Sequence, residues 1–266
     1  VSANSVSMEK MFLGGLVPGV LMVVLAAWWA VRRQPREAVE HKPFDRRAAW
    51  SALWDAKWEL LLPVVALVAL FCGWATPIEA AAITAAYALV ITTVIHRDLH
   101  PLKDLPRVMT ECGLLVGGVL LILGVALGFT HYLVVEQVPD RLVEWSTHTI
   151  NSKWLFLLGL NVVLLFVGGL IEIFAAIVVV VPLLVPVGIA FGIDPVHLGV
   201  IFLANMQLGF IAPPVGLNLL LASYRFNKPI LEVMRAVIPM FLVLLVGVLL
   251  ITYLPPLTTF LPGLFK

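Results

Sequence analysis

The stretch GFIAPPVGLNLLL, residues 209–221, sets two prolines and a glycine inside an otherwise apolar run. Proline removes a backbone donor and glycine admits dihedrals that other residues avoid, so a helix passing through this stretch is interrupted. Lipid cannot hydrogen-bond the groups that such an interruption frees, and a broken helix at membrane depth must be buried in protein or line a cavity. The break is useful where the freed groups serve a ligand, because half-helix N-termini face anions and unwound carbonyls face cations. The competing reading is a proline kink whose freed groups neighbouring helices satisfy.

The residues around this stretch place it in a bilayer. Of the 266 residues, 61% are hydrophobic and only 12% charged, and the mean hydropathy is +1.04, far from the composition of a soluble domain. The runs 11–31, 112–135, 155–171, 173–193 and 236–265 hold no Asp, Glu, Lys or Arg, and 60–95 holds only Glu79. Each reaches or approaches the ~20 residues that a helix needs to cross the hydrocarbon. The fold class is therefore an all-α, multi-span membrane protein with broken helices and a re-entrant hairpin. A net charge of +1, with the basic residues confined to loops, gives no reason to expect a nucleic-acid partner. Cys72 and Cys112 lie in or beside apolar runs and read as small buried hydrophobes. The opening residues show no signal-peptide pattern.

Six segments organise the chain. Residues 1–31 carry the first crossing, and 32–57 form a basic linker with Arg32, Arg33, Arg36, Lys42, Arg46, Arg47 and Lys57. The positive-inside bias makes this linker cytoplasmic. Trp50, Trp54 and Trp58, four residues apart, read as one face of a helix lying in the membrane interface. Residues 58–107 hold a broken helix pair and a second basic loop with Arg97, Lys103 and Arg107. Basic flanks on both sides fit two half-helices that return to the same face; one steep crossing plus an interfacial segment would satisfy the length alone. Residues 108–193 hold further crossings, with interruptions expected at Pro182 and Pro186 and a polar stretch at 136–153 on the outer face. Residues 194–224 read as a re-entrant hairpin that opens on Asp194 as a cap and Pro195 in the first turn. A final crossing near 230–253 and a proline-rich tail fill 225–266, and Gly247 within that crossing reads as an ordinary surface-helix glycine.

Polar residues gather at the breaks. Asn205 and Gln207 precede the turn formed by Gly209, Pro213, Pro214 and Gly216, and Asn218 follows it. Thr76 and Glu79 flank the earlier break at Gly73 and Pro77. Hydroxyls, side-chain amides and freed carbonyls are hard neutral oxygen donors suited to Na⁺. The candidate ion-binding residues are thus Gly73, Thr76, Asn205, Gly209 and Gly216. Glu79 and Glu172, isolated carboxylates in apolar surroundings, are candidate coupling groups, although Glu172 fits an interfacial position nearly as well. No nucleophile–base set, Cys/His metal spacing or phosphate-binding glycine loop is present, so neither an enzyme nor a bound cofactor is expected. His131 and His197 read as interfacial or hydrogen-bonded within the bundle.

The strings GWATPIEAAAITAAYAL (73–89), GLIEIFAAIVVVVPLLVPV (169–187) and GIDPVHLGVIFLANMQLGFIAPPVGLNLLLAS (192–223) resemble the second half of the large membrane subunit of tripartite ATP-independent periplasmic (TRAP) transporters. MFLGGLVPGVLM (11–22) fits the segment that follows that family's first re-entrant hairpin. The resemblance implies an elevator-type secondary transporter of the bacterial inner membrane. It would import organic acids, such as C4-dicarboxylate-like or sugar-acid anions, coupled to Na⁺. The implied partners are a small membrane subunit and a periplasmic solute-binding protein. Carried over, the second hairpin tip falls on Gly209, Pro213, Pro214, Val215 and Gly216 with Asn205 before it, and the broken-helix cation site on Gly73, Thr76 and Pro77 with Glu79 beside it. Ala212 stands where the family usually has Thr, and Glu172 where it often has Asp. The family's first half, with its first hairpin, is expected as a further partner, and this chain by itself is expected not to transport. The alternative from a different class is a transport-inactive membrane protein that only docks partner subunits.

Overall fold

A computed structural model describes residues 6–33, 45–71, 75–213 and 216–264. It is helical throughout, with no strand among the described residues. Two compact units divide the chain: Pro35–Gly118 form one, and Val1–Gln34 with Val119–Lys266 form the other.

In the Pro35–Gly118 unit, α2 (Arg46–Asp55) opens on Asp45, whose carboxylate accepts from the Arg47 N–H at 2.8 Å. Ala56 separates it from α3 (Lys57–Phe71). The expected three-tryptophan face is therefore split, with Trp50 and Trp54 on α2 and Trp58 on α3. The α4 helix (Pro77–Val90) continues into a π-helical turn, Ile91–Ile95. It runs back along α3: the Tyr87 hydroxyl donates to the Trp58 carbonyl at 3.0 Å, and His96 meets Glu59 at 3.1 Å. The pair is thus an antiparallel hairpin whose open ends lie together. After the loop from Arg97, α5 (Asp104–Val135) begins.

The other unit holds α1 (Met8–Arg33), the later part of α5, α6 (Val138–Thr149), α7 (Lys153–Leu170), α8 (Ile173–Ala190), α9 (Pro195–Gly209), α10 (Leu217–Phe226), α11 (Ile230–Tyr253) and α12 (Pro256–Leu264). Its core lies along α7 and α9, where Leu157, Leu164, Leu198, Ile201 and Met206 are buried, with α6 and α8 flanking. A second cluster, Leu208, Leu244 and Val248, receives Met22 and Leu25 of α1. Among the described residues six helices are long and apolar enough to cross a membrane, whereas α9 is shorter. The polar stretch 136–153 contains α6, and the segment expected as a tail folds as α12 against α1.

The expected interruptions at Pro182 and Pro186 are corrected, as is the expected burial of Cys112, which is exposed. Helix α8 runs unbroken through Pro182 and Pro186. Pro182 lacks the N–H that would bond the carbonyl four residues earlier, at Val178. The Thr130 hydroxyl of α5 donates to that carbonyl at 2.9 Å. A neighbouring helix thus satisfies the group freed by Pro182, the circumstance in which membrane helices tolerate proline.

Candidate functional site

The turn at 209–217 is built by two helices that stop short. Asp194 caps α9, accepting from the Val196 and His197 N–H groups at 2.9 and 3.1 Å, and Pro195 fills the first turn where no donor is needed. At the other end the chain leaves α9 at Gly209 through tight turns, with the Ala212 N–H donating to the Gly209 carbonyl at 2.9 Å. It returns so that the Asn218 N–H donates to the Phe210 carbonyl at 3.0 Å. Gly216 is required by close approach, because a Cβ there would lie 2.8 Å from both the Ala212 and Phe210 carbonyl oxygens.

A second break faces this turn. Helix α7 ends at Leu170, and Ile171 and Glu172 are extended before α8 begins. The two breaks are joined by touching backbones: a Cβ on Gly209 would lie 2.5 Å from the Gly168 carbonyl carbon. Beside this contact is a cavity of about 160 Å³ lined by Gly169, Ile171, Glu172, Phe210 and Leu217 among others. The half-buried Glu172 caps α8, its carboxylate accepting from the Phe174 N–H at 2.8 Å. The structure therefore places Glu172 on one cavity with Phe210, beside the Gly168–Gly209 contact, while Gly216 packs on the Phe210 and Ala212 carbonyls and Pro213 is half-buried. A carboxylate, a helix N-terminus and non-helical backbone at one cavity can hold a small ion or polarise a bound anion.

Asn205 points elsewhere. It is fully buried, and its amide donates to Asn161 Oδ1 at 2.7 Å and to the Ile201 carbonyl at 2.9 Å. The Thr252 hydroxyl lies 3.0 Å from the same Asn161 oxygen. Thr252 also supplies its carbonyl to His197 Nε2 at 3.2 Å, while His197 Nδ1 meets the Thr258 hydroxyl at 2.7 Å. Polar side chains of α7, α9, α11 and α12 are thus linked through the interior, and Asn205 Oδ1 is buried without a partner among the described residues. Sequence reasoning missed Asn161, Thr252 and Thr258. The signal for Asn161 was its position as the one amide in the apolar run 155–171. Gln207 and Asn218 are exposed.

In the Pro35–Gly118 unit, Thr76 and Glu79 form a reciprocal cap on α4. The Thr76 N–H and hydroxyl both lie within 2.8 Å of Glu79 Oε2, and the Glu79 N–H returns to the Thr76 hydroxyl at 3.4 Å. Pro77 follows in the first turn. This arrangement orders the N-terminus of α4 and leaves Glu79 Oε1 available. Gly73 and Pro214 lie outside the described residues. Among the described residues no group of three or more His, Cys, Asp and Glu side chains could hold a metal ion. A cation at either break would rest chiefly on neutral oxygens.

Comparison with known proteins is consistent along the whole chain. Residues 1–257 match the family model of the DctM component of the tripartite ATP-independent periplasmic transporters. The chain is 37% identical to the C4-dicarboxylate TRAP transporter large permease protein DctM of Pseudomonas aeruginosa, over 98% of this chain and 61% of that protein. It is 34% identical to the isethionate TRAP transporter permease protein DctMQ of Oleidesulfovibrio alaskensis, over 99% of this chain and 41% of that protein. It is also 32% identical to the sialic acid TRAP transporter large permease protein SiaM of Vibrio cholerae, over 98% of this chain and 61% of that protein. The chain therefore spans less than two thirds of these relatives' own length.

Proposed function

We infer, because this chain belongs to the DctM component family of the tripartite ATP-independent periplasmic transporters, that it supplies the ion- and substrate-handling breaks of a Na⁺-coupled organic-acid importer. The family is one of inner-membrane transporters and not of enzymes. The observation that carries the reading is the pair of broken helices held together at Gly168 and Gly209, with Glu172, Phe210 and Leu217 around one cavity. Two helix breaks in contact at membrane depth are wasteful in a purely structural bundle and useful where backbone groups must meet an ion or an anion. The substrate class is a carboxylate-bearing anion, C4-dicarboxylate-like or a sugar acid. The working assembly includes a small membrane subunit, a periplasmic solute-binding protein and the portion of the relatives' length that this chain does not match.

The test is uptake in proteoliposomes. The chain is combined with that remaining portion and the partner subunits, and radiolabelled succinate and sialic acid are offered with and without a Na⁺ gradient. Uptake of either acid that requires Na⁺ and falls at least ten-fold in Glu172→Ala supports the proposal. Assembly of all subunits without uptake of any offered acid would favour the docking reading.

A further inference from the structure

We propose that the exposed face of α2 binds the anionic headgroup of a membrane phospholipid. Arg46, Arg47, Trp50, Ser51 and Trp54 line one open cavity of about 580 Å³. Their positions are those of residues one turn apart, so guanidinium, hydroxyl and indole groups share one side of the helix. Trp50 and Trp54 are 67% and 61% exposed, a large aromatic surface on one side of the helix. None of the ion pairs among the described residues involves Arg46 or Arg47. Asp45, the adjacent carboxylate, is engaged in capping the helix through the Arg47 N–H.

The placement of charge favours an anion. Both arginines stand in the first turn of α2, which holds no acidic residue, so their charges add to the positive end of the helix dipole. A phosphate group in the cavity would offset both, and the guanidinium fork matches phosphate oxygens in a bidentate way. Lys57 Nζ stands over the Trp54 ring, 4.2 Å from its centre, and so brings a third cation to one of the cavity's aromatic walls. Tryptophan prefers the depth of the headgroups, where its ring meets the glycerol and upper acyl region while its N–H stays polar. An anionic phospholipid satisfies the basic and aromatic halves of this face together, whereas an acidic protein segment would answer only the charge.

Lipid retained by the detergent-purified full chain is measured by native mass spectrometry after mixing with equal phosphatidylglycerol and phosphatidylcholine. Wild type should retain phosphatidylglycerol preferentially, and R46Q/R47Q should lose that preference by about five-fold for each arginine removed. Arg107→Gln, at a residue paired with Glu111, should leave the preference unchanged. Equal retention of both lipids by wild type, or an unchanged preference in R46Q/R47Q, would overturn the proposal. Should R46Q/R47Q fail to accumulate, fluorescence quenching by brominated phosphatidylglycerol decides. Stronger quenching of wild type than by brominated phosphatidylcholine, with the difference lost in W50F/W54F, supports the lipid site, and no difference between the lipids refutes it. Unchanged lipid retention in R46Q/R47Q with lost co-purification of the small membrane subunit would assign the face to that partner instead.

Discussion

At the scale of single residues, glycine carries the strongest constraints. A methyl group on Gly209 would meet the Gly168 backbone, which cannot turn aside as a side chain can. Gly209→Ala should therefore destabilise the chain by about 1–3 kcal/mol through overpacking. Gly159→Ala on the same bundle, where a Cβ meets nothing within 4 Å, should be neutral or stabilising by up to about 1 kcal/mol. Denaturant unfolding in detergent would show the contrast, and equal effects would mean that the Gly168–Gly209 contact relaxes freely. The sequence marked Gly209 and Gly216 through the prolines between them, but it misread Gly247. A Cβ there would lie 2.7 Å from Leu25 Cδ1 and Met22 Sδ, so it is a helix-contact glycine. Nothing local distinguishes a glycine that faces lipid from one that faces another helix. Thr76 poses a different question, since its hydroxyl already caps α4. In the reassembled transporter, Thr76→Val should raise the Na⁺ requirement of initial uptake while leaving residual transport at high Na⁺, and Thr76→Ser should restore the wild-type curve. A wild-type Na⁺ curve for Thr76→Val at normal abundance would leave the residue only its capping role.

At the scale of elements, the boundaries that chemistry marks were legible and the packing between helices was not. Asp194 followed by Pro195 announced the start of α9, and Glu172 between two apolar runs announced the break between α7 and α8. Pro182 and Pro186 looked the same in sequence as Pro213, yet α8 continues through them. For Pro182 the difference lies in the Thr130 hydroxyl, 48 residues before Val178 in the chain, which meets the Val178 carbonyl. Hydropathy cannot report such a contact. Thr130→Val should cost about 0.5–1.5 kcal/mol, and the loss should shrink toward zero in a Pro182→Ala background, where residue 182 again donates to Val178. A double-mutant cycle read by denaturant unfolding measures this coupling. Equal losses in both backgrounds would show that Thr130 contributes only by packing.

At the scale of the whole molecule, the basic loops carry the expectation on orientation. Cysteines placed at Arg36 and Lys103, with Cys72 and Cys112 removed, should be protected from an impermeant thiol reagent added outside intact cells and should label after the membrane is opened. Labelling of either from outside would reverse the assignment. Charge-free apolar runs marked where the long helices lie, but they could not reveal that α12 folds onto α1. That contact is intimate, because a Cβ on Gly14 would lie 3.0 Å from the Thr258 carbonyl oxygen. It also sets a clock. A ribosome adding ~5–20 residues each second needs roughly 12–50 s to pass from one of these residues to the other. Through that interval the part of α1 that meets α12 stays uncovered, open to insertion chaperones, lipid or a sister chain, while α9 and α11 cover the rest as they are made. Premature termination ahead of Pro256 should therefore leave α1 packed on α9 and α11 but bare where α12 belongs, a substrate for membrane quality-control proteolysis.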